Sequence, residues 1–223
     1  SITVYPGEYI RVMAPNGQMV FDVRGRSYWY LVGDSTDDPL TDTMNFEIDC
    51  NDNSSNGYAL VASDSSSFIE ARNVWMHNAA CNPGIVRFRE SSDCALRYCR
   101  IHDNARQANT DRHCVYISSN NVTPSNRNII EYSYIYDGTD CIQLENSTGD
   151  RMIEDTIIRY NTLAFSQSYA TGGENHIDNK DGLRTYIYGN KLRGKRYSYS
   201  SIGGTSNGGG PIVCHQQSRD VFI

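Results

Sequence analysis

The chain has 223 residues and a net charge of −6, from 26 acidic and 20 basic side chains. That balance argues against a general nucleic-acid binder, and no apolar run approaches the roughly 20 residues of a membrane span. Hydrophobic residues make up 39% of the chain, and its 16 tyrosines suit strands joined by polar Ser/Asn/Gly turns.

Residues 1–57 are expected to form N-terminal strands and the first coils of a solenoid. Ser1-Ile-Thr-Val-Tyr5 and Tyr9-Ile-Arg-Val-Met13 read as strands, and Asn16-Gly17 is a hairpin signal. Tyr28–Val32 makes the next strand. The loop Asp34–Pro39 holds three aspartates, which suit either a Ca2+ site or an acidic surface turn. Phe46 and Ile48 alternate into the core ahead of Cys50.

Residues 58–223 carry a repeat. Asn128–Tyr136, Arg151–Arg159 and Tyr186–Arg193 share one short pattern. It aligns Trp75, Ile101, Ile135, Ile158 and Leu192 in a column, at spacings of 26, 34, 23 and 34. Preceding them stand Ile69, Leu96, Ile130, Ile153 and Ile187. A unit of this length with variable insertions marks a solenoid. A second strand aligns Leu60, Val86, Val115, Ile142, Ile177 and Ile212, with Ala62, Phe88, Ile117, Leu144, Asn179 and Cys214 two residues on. Period two sends these inward. Outward then go Val61, Arg87, Tyr116, Gln143, Asp178 and Val213, followed by Ser63, Arg89, Ser118, Glu145, Lys180 and His215. The fold class is all-β, a right-handed parallel β-helix, and one domain overall.

Insertions at 103–112, 164–175 and 194–210 all fall between the first and second strand columns, so they gather on one side, where binding loops commonly lie. Asn73, Cys99, Ser133, Thr156 and Asn190 are expected to hydrogen-bond along the stack. Asp220-Val-Phe-Ile223 begins another repeat strand. The solenoid is therefore expected to continue beyond Ile223 or to meet another copy of itself end to end.

Seven cysteines include no C-x-x-C and no zinc spacing. Cys114 and Cys141 occupy one position on successive coils. Strand spacing permits a bridge between them, and a stack of reduced thiols is the alternative. The sequons at Asn53, Asn121 and Asn146 permit N-glycosylation.

Glu174–Gly182, Ile187-Tyr-Gly-Asn190 and Pro211-Ile-Val-Cys-His215 resemble coils of the pectate-lyase-like right-handed β-helix superfamily. The resemblance runs from about residue 58 onward. It implies an extracellular or cell-surface protein that binds a glycan. In polysaccharide lyases of the chondroitinase-B and alginate-lyase kind, a lysine base works with an arginine on the next coil, beside acidic calcium ligands. Lys180 matches that lysine, and His215 stands at the position of the arginine.

Three residues of the outward face, Glu145, Lys180 and His215, are the catalytic candidates. An acid, an amine and an imidazole on successive coils suit proton abstraction beside a uronate carboxylate, with Lys180 as the base if its pKa is lowered. Arg87, Arg89, Tyr116, Gln143 and Asp178 are the substrate-binding candidates for an acidic polysaccharide. No metal ligand is assigned among them. The competing expectation is a non-catalytic module, such as a filament protomer, adhesin or spike segment, in which this face is only solvated charge.

Overall fold

A computed structural model describes residues 1–14, 18–34, 38–40, 44–53, 57–104, 112–120, 122–146, 153–166, 174–194, 210–215 and 218–223. The described residues contain strands and no helix, and every strand pair is parallel. The chain winds as a right-handed parallel β-helix with three seven-stranded sheets. Each coil visits sheet A, then sheet B, then sheet C. A short fourth sheet closes the corner between C and the next A strand. No helix is long and apolar enough to cross a membrane.

Inward columns of all three sheets supply the core, two of them in sheet C, where Ala62, Phe88, Ile117 and Leu144 form the second. Sheet C stacks Phe21, Leu60, Val86, Val115, Ile142, Ile177 and Ile212 in register. Sheet B stacks Val12, Ile48, Met76, Ile101, Ile135, Leu163 and Leu192. Sheet A stacks Leu31, Ala71, Leu96, Ile130, Ile158 and Ile187. Burying a side chain of this size contributes about 1.5–3 kcal/mol.

The sheet C register agrees with the sequence alignment throughout, including both outward columns where pairs are resolved. Two sheet B assignments differ. Leu163, not Ile158, stacks on Ile135, and Ile158 belongs to sheet A beneath Ile130. Ile153 sits in the short fourth sheet, paired with Ser125. That coil offers isoleucine at 153, 157 and 158, so apolar pattern alone does not distinguish its strands. Likewise Met76, not Trp75, takes the inward place, and Trp75 faces outward.

Polar ladders run along the corners. Cys99 N donates to Ser133 Oγ, Ser133 N to Asn161 Oδ1, and Asn161 N to Asn190 Oδ1, at 3.1, 3.0 and 2.9 Å. Tyr98, Tyr132 and Tyr160 occupy a left-handed corner position at φ 53–56°. Their rings stack at 5.0 and 5.2 Å, which helps offset the backbone strain.

The Asn16-Gly17 turn and most of the three insertions lie outside the described residues, as do residues 35–37 of the aspartate loop. The flanks of each insertion do leave sheet B and enter sheet C. At the C-terminal side, Arg219 bridges Leu183 and Phe222 bridges Tyr186, so these residues lie on the next coil.

Candidate active face on sheet C

The strands His113–Ser119, Asp140–Asn146, Asn175–Asn179 and Ile212–Cys214 lie side by side in sheet C. Together with the adjoining strand Gly84–Arg89, their outward residues form the predicted columns, Arg87–Tyr116–Gln143–Asp178–Val213 and Arg89–Ser118–Glu145. Lys180 and His215 continue the second column immediately past the ends of their strands. Backbone bonds hold them there: Lys180 N donates to Leu144 O, and His215 N donates to Asn179 O.

Most of the predicted site residues meet. His215 Nε2 lies 2.9 Å from Asp178 Oδ1. Lys180 Nζ lies 3.4 Å from Glu145 Oε1 and 3.8 Å from Asp178 Oδ2. Gln143 Nε2 donates to Asp178 Oδ2 at 3.3 Å, and the Tyr116 hydroxyl donates to Glu145 Oε2 at 3.3 Å. The Arg87 guanidinium lies over the Tyr116 ring, 5.9 Å from its centre. Arg89 is in register beside Ser118 but pairs with its own neighbour Glu90, at 2.8 Å.

Asp178 and Gln143 are buried, whereas the side chains of Lys180, Glu145 and His215 are 29%, 35% and 49% exposed. A buried carboxylate therefore backs an accessible imidazole and an accessible ammonium. Burial and the Asp140 charge raise the Asp178 pKa, more than Lys180 and His215 lower it. Burial alone would lower Lys180, but Glu145 and Asp178 outweigh it and its pKa is raised. This direction is opposite to what a lysine base needs: the neighbouring carboxylates hold Lys180 as the ammonium. Tyr116 is also raised, by burial and then Glu145, so its phenol stays protonated.

One pair was not foreseen. His113 Nδ1 lies 3.0 Å from Asp140 Oδ2, though out of line for a hydrogen bond, and both residues are buried. Strict alternation would turn His113 inward with Val115. The alternation breaks because Cys114 and Val115 are both fully buried, as are Cys141 and Ile142. The same break brings the His113 ring 5.7 Å from that of Tyr116. Gly138 makes the preceding corner possible. A Cβ there would stand 2.6 Å from Asp140 O and 2.8 Å from Cys114 N.

Cys114 and Cys141 carry free thiols, so the bridge is replaced by the reduced stack. Cys114 Sγ donates instead to Tyr136 O at 3.2 Å, and Cys141 Sγ to Ala164 O at 3.6 Å. Asn146 is buried, with 5% of its surface exposed. Asn121 and the Asn53 side chain lie outside the described residues.

A groove of about 350 Å³ lies elsewhere, at the corner of sheets A and B, lined by Tyr98, Tyr132, Tyr134, Tyr160, Leu40 and Lys191 among others. It offers mainly aromatic surface, with Asp38 and Lys191 at its wall. No protein-family model, no curated protein and no solved structure matches this chain.

Proposed function

We propose that the protein is an extracellular carbohydrate-active β-helix that cleaves an acidic polysaccharide by elimination on the outer face of sheet C. The observation that carries this reading is the half-exposed His215 imidazole backed by the buried Asp178 carboxylate, beside an ammonium held charged by Glu145. With Nε2 turned to Asp178, Nδ1 of His215 is the nitrogen that takes the proton next to a uronate carboxylate. Lys180 neutralises that carboxylate and stabilises the enolate-like charge that develops as the proton leaves. The C4–C5 double bond then forms, the C4–O bond breaks, and the leaving oxygen takes the proton from the imidazolium. Protons and electrons balance without a redox partner.

The test is a panel of pectate, alginate and glycosaminoglycans, read by absorbance of the unsaturated uronate. The wild-type protein is expected to release product from at least one polymer, and His215→Ala to release none. No product from any member of the panel would overturn the elimination.

A further inference from the structure

A second cluster lies on the outer face of sheet B, independent of the site above. In the strand Phe46–Asn53, Phe46 and Ile48 are fully buried in the core, so Glu47 and Asp49 project from the opposite face. On the next coil Asp49 is the register partner of His77, and Glu47 that of Trp75. His77 Nε2 lies 2.8 Å from Glu47 Oε1. One donor atom from each of Glu47, Asp49 and His77 falls within 4.8 Å of the other two. The three residues are 4%, 3% and 5% exposed.

Two aromatic neighbours hold the imidazole, and they touch each other, with ring centres 5.9 Å apart. Trp75 stacks on His77 at 4.4 Å and His102 at 5.3 Å. Asp49 Oδ1 accepts from Asn51 N and Asn78 Nδ2, which orients that carboxylate. A cation already occupies the mouth of the cluster. Arg11, from the preceding coil, places Nε 3.2 Å from Glu47 Oε1 and bonds Asp49 Oδ2 through Nη2. The Arg11 side chain is 45% exposed, against 5% and 4% for its two partners.

We propose that Glu47, Asp49 and His77 form a binding site for a divalent transition-metal ion, with Arg11 as the resident counter-charge that the ion displaces. Two buried carboxylates require positive charge close by, and a single guanidinium supplies only one unit. The donor set, one imidazole nitrogen and two carboxylate oxygens, suits zinc and its neighbours. It does not suit calcium, which takes six to eight oxygens. Three protein ligands leave a coordination position on the side where Arg11 now reaches in. The ligands are already close and held by their neighbours, so metal uptake requires mainly that one half-exposed side chain swing outward.

The test is titration of chelator-treated protein with Zn2+ by calorimetry, and with Co2+ by visible absorption. One ion per chain is expected, with a Co2+ spectrum lacking the thiolate charge-transfer band that coordination by exposed Cys214 would give. Glu47→Gln and His77→Ala should each weaken binding by more than the roughly 10–100-fold that losing an outer-shell partner costs. Arg11→Ala should bind several-fold more tightly than the wild type, because the competing cation is gone. Arg11 is half-exposed, so this variant keeps the test readable even if His77→Ala does not fold. Failure of both wild type and Arg11→Ala to take up an ion would overturn the proposal. So would uptake that survives loss of His77, a thiolate band, or weaker binding by Arg11→Ala.

Discussion

Asp178 Oδ1 and His215 Nε2 stand 2.9 Å apart across one step of the β-helix, with the carboxylate buried and the imidazole half-exposed. This asymmetry makes a stability-for-function exchange measurable. Burial and Asp140 raise the folded-state pKa of Asp178. A carboxyl raised above its unfolded value stabilises the fold at low pH and loses that contribution as pH rises through the folded value. Near neutrality the ionised Asp178 therefore costs the fold some stability. Asp178→Asn should leave stability unchanged or raised at pH 7, while turnover by the proposed elimination falls by about 10²–10⁴-fold. Urea midpoints and initial rates measure the two together. A less stable protein with intact turnover would contradict the assignment.

Lys180 should act through its charge. Lys180→Arg keeps a cation between Glu145 and Asp178, whereas Lys180→Met leaves the two carboxylates facing each other. The arginine variant is expected to retain measurable cleavage. The methionine variant should lose about 100-fold or more in kcat/KM. Equal activity in the two variants would remove Lys180 from the mechanism.

The fold was legible because one strand per coil alternates from its first inward residue onward, as in Val115-Tyr116-Ile117-Ser118 and Ile142-Gln143-Leu144-Glu145. Val86, Val115, Ile142 and Ile177 are branched and inward, and each is followed by an outward Arg, Tyr, Gln or Asp and then a second inward residue, so period two sets the sheet C register. The same parity exposed Glu145, Lys180 and Asp178 as one face. The sheet B chemistry was hidden by a slip of one residue. Taking Trp75 as a core residue reverses every side chain of Trp75–Ala79 and sends His77 inward. A bulky aromatic is a natural choice for the core, yet Met76 fills that place and Trp75 covers the imidazole of His77. His113 escaped for a different reason, since no sequence pattern announces the paired burial of Cys114 and Val115. The charge state of Lys180 was not legible at all, because it depends on which carboxylates the coils bring near it.

The thiols offer a third measurement. Burial raises the pKa of Cys99 to about 12 and that of Cys94 to about 11, and Cys114 and Cys141 are raised as well. Thiolate is the reactive form, so a thiol reagent should label only exposed Cys214 in the native protein. Even that reaction should be slow, because burial and Asp178 raise the Cys214 pKa. In denaturant all seven should react without prior reduction. Fewer than seven would show a bridge that this structure does not contain.

Asn161 tests what holds the coils in register along the corner of sheets A and B. Its side chain is fully buried and satisfied on both sides. Oδ1 accepts from Ser133 N at 3.0 Å, and Nδ2 donates to Ile130 O at 2.9 Å and to Asn190 Oδ1 at 3.0 Å. Alanine would leave the buried Ser133 amide without this acceptor and the Asn190 carboxamide without this donor. An unsatisfied buried group costs about 1–3 kcal/mol, and truncation leaves a cavity besides. Asn161→Ala should therefore cost about 2–4 kcal/mol, seen as a lower urea midpoint with little change in slope. Asn190→Ala should cost less, because Asn190 is only partly buried and lies one coil nearer the C-terminal side. A similar loss in the two variants would mean that burial along this corner is more uniform than the exposures indicate. A loss below about 0.5 kcal/mol for Asn161→Ala, the size of an ordinary surface change, would reject the ladder as a source of register.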